Sequence, residues 1–385
     1  MKKILHIGKY YPPFFGGIEN FMSELVAAQS MRHKVNALVH NHERSFFTKI
    51  ESDNDVEVSR VGLWGVFAFV PLSPLFWRDL KAQLANEPDV IHIHMPNVSA
   101  FWLLLSRRAQ RIPWVIHWHA DVLGSEPTKI IQFLYPFYRL FESALLRRAS
   151  AVICTSPNYL SSSKPLRKYR EKCYSIPLGL SDISDSIEEK NCVERKLTKE
   201  VTALKVLVVG RLSYYKGHSI LLEALKKSEG LGTEIEVHII GDGECAPAVQ
   251  QQILDLNLSN VSQLGKVSDE KLEQAFEWCD LICLPSIERT EAFGLVILEA
   301  ARKGKPALVT DVPGSGMSWV VQDCESGWVV KHKNASALSE KLVQIYEDRA
   351  EVELFGQRAR QRYLDCFSIE SIAHQVDVVY QHLSH

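Results

Sequence analysis

Short apolar runs alternate with helix-length stretches along nearly the whole chain, and this alternation restricts the fold more than any other feature. Lys3-Ile-Leu-His-Ile-Gly8 reads as a strand, a loop through Pro12, Pro13, Gly16 and Gly17 follows, and a helix is expected over 18–29. Further strands are expected at 34–39, 89–94, 114–119 and 151–155, with helices at about 99–110 and 128–148; 173–178 closes the series. Residues 181–202 are polar, charged and aperiodic, and read as a linker. A second series then gives strand 205–210, helix 217–227, strand 236–240, helices 246–256 and 269–278, strands 280–285 and 306–310, and helices near 335–348 and 351–365. The last helix, 369–383, has Ile372, Val376, Val379 and Leu383 spaced for one face. Such alternation predicts an α/β protein with doubly wound parallel sheets. A chain of 385 residues is too long for one core and suits two domains, 1–180 and 203–367.

Within the second series, the apolar strand ending at Pro285 runs through a loop into a helix near Phe293 and Gly294. Glu291 lies just before that helix and Glu299 one to two turns inside it. The first helical amides, around Phe293, Gly294 and Leu295, lack intrahelical acceptors and together with the helix dipole favour an anion such as phosphate. Gly294 lets a ligand approach the backbone. Gly210-Arg211-Leu-Ser-Tyr-Tyr-Lys216-Gly217 likewise follows a strand, and its two cations, five positions apart, can aim at one diphosphate, Arg as a planar fork and Lys as a point charge. Gly16-Gly17 takes the position of a phosphate-binding turn, although the spacing is not Gly-x-Gly-x-x-Gly.

Residues 291–299, Glu-Ala-Phe-Gly-Leu-Val-Ile-Leu-Glu, resemble the Glu-x7-Glu signature of retaining nucleotide-sugar glycosyltransferases of family 4. Pro12-Pro-Phe-Phe-Gly-Gly-Ile-Glu19, His119-Ala-Asp121, Gly210-Arg-Leu…Lys216-Gly217 and Gly241-Asp-Gly243-Glu244 extend the resemblance over most of the chain. It implies a GT-B fold, with two Rossmann-like domains facing across a cleft and the final helix, 368–385, returning to the first. It further implies that Arg211 and Lys216 neutralise a leaving nucleoside diphosphate, that Glu291 holds the donor sugar and that Glu299 binds the ribose. Gly16 and Gly17 would face the diphosphate and His119 would lie beside the sugar; Asp121, Glu19 and Gly241 are further candidates. The opening and the Trp-His-Ala-Asp segment look most like O-antigen mannosyltransferases. The donor would then be GDP-mannose and the acceptor a polyprenyl-diphosphate-linked saccharide, with no metal or other cofactor.

A rival reading rests on His117-Trp-His119-Ala-Asp121, since His-x-His-x-Asp also opens the zinc site of metallo-β-lactamase-type hydrolases. That motif continues with a histidine where Val122 stands, and His92 and His94 read as isolated on another strand. A nicotinamide oxidoreductase is disfavoured because no strand is followed by Gly-x-Gly-x-x-Gly. Asp53-Asn-Asp55, an Asp-x-Asp of the kind that holds metals elsewhere, sits in the acidic stretch 51–57 and reads as a solvated turn.

Charge is unevenly divided. Up to residue 180 there are 22 Lys and Arg against 14 Asp and Glu, and beyond it 22 against 32. A basic first half favours an anionic surface, and without a Lys/Arg-rich block a nucleic acid is not expected. Eight scattered cysteines, none paired as Cys-x-x-Cys, point to a reducing compartment. The apolar run after Met1-Lys-Lys is Ile4-Leu5 alone, so no signal core is read. The longest uncharged stretch, Val61 to Trp77, is shorter than the roughly 20 residues of a spanning helix and contains Pro71 and Pro74. Aromatic and aliphatic clusters at 75–78, 101–108 and 130–139, with Arg147 and Arg148, instead suit a cytoplasmic enzyme that docks on an anionic membrane surface.

Overall fold

The computed structural model describes every residue except Phe15, 54–55, 68–69, 123–128, 183–202, 229–233 and 384–385, with backbone alone at 129–131. The chain forms two compact units, one of Met1–Ser181 with Ser368–His385, the other of Asp182–Phe367. The expected linker lies almost wholly outside the described residues.

In chain order the first unit contains β1 (Lys3–Ile7), α1 (Gly17–Ser30), β2 (Lys34–Arg44), β3 (Lys49–Asp53), β4 (Val56–Leu63), β5 (Gly65–Phe67), β6 (Val70–Leu72), α2 (Phe76–Ala85), β7 (Val90–Met95), β8 (Trp114–Trp118), α3 (Lys129–Arg148), β9 (Ala151–Cys154), α4 (Pro157–Ser162) and β10 (Cys173–Ser175). Eight strands form one sheet in the order β10-β9-β8-β7-β1-β2-β4-β3, parallel except for the β3–β4 pair. The strand order reverses between β1 and β7, which puts the ligand-binding crevice of such a sheet at their C-terminal ends.

The second unit contains β11 (Leu204–Val209), α5 (His218–Lys227), β12 (Ile235–Ile240), α6 (Ala246–Asp255), β13 (Val261–Gly265), α7 (Asp269–Trp278), β14 (Leu281–Leu284), α8 (Leu295–Ala301), β15 (Ala307–Thr310), α9 (Met317–Val321), β16 (Gly327–Val330), α10 (Ala335–Glu347) and α11 (Arg349–Cys366). Its six parallel strands run β13-β12-β11-β14-β15-β16, so the reversal falls between β11 and β14. Leu204, Val206, Val237, Ile239, Leu281 and Leu308 from the strands pack with Leu221, Leu225, Leu338 and Leu342 from the helices. The last helix, α12 (Ile369–His382), packs on α1 in the first unit.

Several expectations are corrected. The segment expected as a helix over 99–110 is two 3₁₀ stretches, Val98–Leu105 and Ala109–Arg111. Its first part is apolar on all sides, so no helical stripe draws it into an α-helix. The strand expected at 173–178 is three residues long. Residues 51–53 and 56–57 are not a solvated turn but strand, in β3 and β4; Asp53 accepts a hydrogen bond from the Tyr11 hydroxyl, and 54–55 lie outside the described residues.

The core of the first unit holds a polar inclusion. His6 on β1, His92 and His94 on β7, His117 on β8 and His119 just beyond it are all buried, with exposures of 0–3%. Far from being isolated, His92 and His94 face the histidines of β8, because β7 lies between β1 and β8 in a register that opposes His6 to His92 and His94 to His117. The rings stack, those of His117 and His119 with centroids 4.5 Å apart, and Phe21 meets both edge-on.

Burial pushes His6 down to about 4 and His119 to about 3, and lowers His92, His94 and His117 well below their ordinary value of 6.5. Because these folded-state values lie below the unfolded one, the unfolded chain takes up protons first. Stability is complete above pH 6.5 and is lost as pH falls towards 4, by about 1.4 kcal/mol per pH unit for each histidine. Glu142, whose carboxyl burial raises to about 7, opposes this by one proton. Urea unfolding at a series of pH values is therefore expected to show stability falling steeply between pH 6 and 5, where ordinary carboxylates stay ionised. His92→Phe should flatten that slope.

Candidate active site

In the second unit, the loops that follow β11 and β14 meet at the point of strand-order reversal. Lys216 ends a 3₁₀ turn, Tyr214–Lys216, and its ammonium forms an ion pair with the Glu291 carboxylate; both side chains are largely buried. Gly217 has φ +68°, and a Cβ there would lie 2.1 Å from the Pro285 carbonyl oxygen. Only a glycine allows the two loops to come this close. The Ile287 amide donates to the Tyr215 carbonyl at 2.8 Å and fixes the same approach. Burial by itself would lower the Lys216 pKa, yet Glu291, Tyr215 and Glu299 outweigh it and raise the value, so the ammonium stays charged.

Arg211 is more exposed and pairs with Glu244 at 3.3 Å. Gly241, with φ +140°, brings the loop after β12 against the loop after β11, since a Cβ there would lie 1.9 Å from the Gly210 carbonyl oxygen. Gly294, with φ +79°, is the N-cap of α8, which starts at Leu295, slightly later than expected, and is seven residues long. Phe293 is buried edge-on against Phe367, and Leu295 is buried too. Glu299 lies half-buried in α8, its pKa raised chiefly by burial. The second unit therefore gathers Arg211, Lys216, Gly241, Glu291, Gly294 and Glu299 at the C-terminal ends of its strands.

In the first unit, Gly16 is the N-cap of α1 and Gly17 its first residue. Glu19, third in the helix, folds back over the start: a Cβ on Gly16 would lie 2.1 Å from its Oε2. A carboxylate thus rests where an anion would meet the first amides, and burial raises its pKa. His119 and Asp121 follow β8, but their side chains serve different neighbours. Asp121 accepts from Trp118 Nε1 at 2.9 Å and from the Ser163 hydroxyl at 2.8 Å, while its amide donates to the Tyr159 hydroxyl. The imidazole of His119 instead meets His94. His117, His119 and Asp121 therefore do not assemble as three ligands of one metal.

Sequence reasoning missed two acids. Glu244 closes the Gly241–Glu244 loop motif, and nothing in the sequence pairs it with Arg211, over thirty residues earlier. Glu142 on α3 is buried near Asp121, with its carboxyl pushed up to about 7 by burial and by that neighbour. Its signal was a carboxylate three and four residues before Leu145 and Leu146, on the buried stripe of the helix.

Residues 190–362 match the family described as glycosyl transferases group 1, and residues 16–162 match a glycosyl transferase 4-like domain. Among curated relatives, the O-antigen chain mannosyltransferase C of Escherichia coli is 28% identical over 97% of this chain and 96% of its own length. The D-rhamnosyltransferase WbpZ of Pseudomonas aeruginosa is 31% identical over 74% of this chain and 71% of its own. Among solved structures, the sucrose-phosphate synthase of Thermosynechococcus elongatus superposes with a TM-score of 0.75 at 20% identity, covering 100% of this chain and 99% of that one. Anabaena HepE in complex with UDP-glucose gives 0.73 at 22%, covering all of both chains. With two doubly wound parallel units in the GT-B pattern and this likeness running through both, the chain belongs to the glycosyl transferases group 1, the family 4 type of glycosyltransferase.

Proposed function

We propose that the protein is a retaining, metal-independent hexosyltransferase that moves mannose from GDP-mannose to a polyprenyl-diphosphate-linked saccharide during bacterial surface-polysaccharide synthesis. The observation that carries the reaction is the buried Lys216 ammonium at the strand-order reversal of the second unit, with Arg211 on the same loop. Departure of a nucleoside diphosphate develops negative charge, and fixed cations in a partly desolvated site stabilise it without reorganising. Arg211 and Lys216 take the electrostatic part that a divalent metal would otherwise play. The amides of Phe293, Gly294 and Leu295 assist at the diphosphate, Glu291 holds the sugar hydroxyls, and Glu299 holds the ribose. Gly16, Gly17 and His119 are the first unit's contributions toward the donor. Glu291 is tied to Lys216, which argues against its serving as a nucleophile and favours same-face attack by the acceptor hydroxyl, assisted by the departing phosphate.

Lys216→Ala or Arg211→Ala is expected to cost roughly 10²–10³-fold in turnover, the usual effect of removing one charge-stabilising group. Glu299→Ala should weaken donor binding more than it slows chemistry. Steady-state kinetics with a radiolabelled donor would check both, and full activity in Lys216→Ala would remove the diphosphate role.

The mannose assignment is supported by the near full-length likeness to an O-antigen mannosyltransferase. It competes with a UDP-sugar reading, since HepE was solved with UDP-glucose. In a panel of nucleotide sugars scored by thermal stabilisation and slow hydrolysis, GDP-mannose should rank first; preference for a UDP-sugar would replace it.

Membrane docking at the cytoplasmic face is the proposed setting, and α3 supports it. Phe133, Phe137, Leu140 and Phe141 are 49–72% exposed, and Phe141 stacks on Phe101 at 5.2 Å beside Trp102. Arg139 and Arg147 are exposed on the same helix. Arg148 is not a docking cation, because it donates to the Gln110 and Ile112 carbonyls and lies over the Trp114 ring. No helix among the described residues is long and apolar enough to cross a membrane. Co-sedimentation with vesicles should rise with anionic lipid, weaken in salt and fall in an Arg139→Glu/Arg147→Glu variant. A protein that stays in the supernatant with every lipid would point to a soluble acceptor.

A further inference from the structure

The buried histidines of the first unit are joined in a hydrogen-bonded chain whose direction is set at one end. Asp377, on α12, receives Arg32 Nε at 3.1 Å, and a carboxylate paired with a guanidinium only accepts. The neighbouring Gln29 amide, on α1, must therefore turn its Nε2 towards Asp377, which it meets at 2.9 Å, leaving Oε1 for His6 Nε2, also at 2.9 Å. An amide oxygen cannot donate, so His6 carries its proton on Nε2 and accepts on Nδ1. His94 Nε2 lies 3.1 Å from that Nδ1 and must be the donor, which leaves His94 Nδ1 as an acceptor. His119 Nε2 lies 3.0 Å from His94 Nδ1 and is the donor in turn. Every ring is neutral because burial holds each pKa far below neutrality, so each has one proton to place. The chain ends at His119 Nδ1, which is buried and meets no hydrogen-bond partner among the described residues. It ends at the C-terminal edge of the sheet, where parallel sheets bind ligands.

We propose that Asp377, Gln29, His6 and His94 are positioning residues that fix His119 as its Nε2–H tautomer and so present its Nδ1 lone pair to a hydroxyl of the donor sugar. The second half of this statement rests on His119 being in the active site; the first half does not. The hydrogen-bonded chain and a metal centre are mutually exclusive uses of these histidines. Two clusters, His6–His92–His94 and His94–His117–His119, have nitrogens close enough for one ion, and both need His94, so an ion at either would displace a hydrogen bond that joins His94 to His6 or His119.

The test is the imidazole ¹⁵N NMR spectrum of the full chain at neutral pH, with His119 assigned by its loss in His119→Asn. The wild type should show a protonated Nε2 and a bare Nδ1. In Gln29→Lys an ammonium beside Asp377 can only donate to His6, which reverses every bond and moves the His119 proton to Nδ1. Gln29→Glu still accepts from His6 and should keep the wild-type tautomer. Donor kcat/KM is expected to fall roughly tenfold in Gln29→Lys, the scale of one lost hydrogen bond, and to stay near wild type in Gln29→Glu. A wild-type His119 protonated on Nδ1 would overturn the proposal even if neither variant folds, as would stoichiometric zinc in the purified protein. An unchanged tautomer in folded Gln29→Lys would overturn the relay. A flipped tautomer with unchanged kinetics would uphold the relay and remove His119 from the site.

Discussion

The pairing of Lys216 with Glu291 is the interaction around which the second unit's site is built. Desolvating an ammonium and a carboxylate costs nearly as much as their attraction returns, so such a pair adds little net stability, while removing one partner strands the other. Its effect is to fix geometry. Two loops that leave neighbouring strands in opposite senses are joined by one charge contact, by the Ile287–Tyr215 backbone bond and by the close approach that Gly217 permits. Gly210 belongs to the same arrangement, because a Cβ there would lie 3.0 Å from the Lys216 ammonium. A ligand anion arriving beside Lys216 meets a cation already oriented by its carboxylate partner.

The first unit solves a different problem. Parallel strands buried on both faces usually carry uninterrupted apolar side chains. Here the sheet register brings five imidazoles together instead, and most of their ring nitrogens are satisfied by hydrogen bonds, as buried polar groups generally are. Gln29 and Asp377 supply the end of the chain from α1 and α12, so the returning C-terminal helix completes the polar core as well as covering apolar surface. Tyr380, on the same helix, meets His92 in the same way.

Much of this was legible in the sequence where a local pattern carries the information. The strand–helix alternation, the loop residues Arg211, Lys216, Glu291 and Gly294, and the fold class all follow from short segments read with their neighbours. What was not legible depends on which strands lie side by side. His92 and His94 look isolated in the sequence because β7 and β8 are about 20 residues apart in the chain, and their adjacency is a property of the sheet. Edge strands β13 and β16 escaped for a related reason: Val261-Ser-Gln-Leu-Gly is half exposed and Gly327-Trp-Val-Val is short and opens on glycine, so neither shows a clear period. Arg148 reads from the sequence as a docking cation beside Arg147, yet the carbonyls it serves come from a segment nearly forty residues earlier.

The two units also differ in the kind of group they place at their strand ends, and the difference follows from the charge each must meet in the proposed reaction. A leaving diphosphate carries its charge outright, and it is matched by groups that cannot lose theirs under physiological conditions: a guanidinium, and an ammonium whose pKa its carboxylate neighbours raise. A sugar hydroxyl is neutral, and the imidazole proposed to meet it needs a lone pair, which a charged ring lacks. Deep burial removes that charge, but it leaves the proton free to sit on either nitrogen, so burial alone would present donor and acceptor faces of His119 indifferently. The relay from Asp377 resolves this, because a carboxylate that can only accept propagates one direction through three imidazoles. Neutrality comes from the apolar surroundings, orientation from a single acid some 260 residues away in the chain, and neither could be supplied by the residues immediately flanking His119.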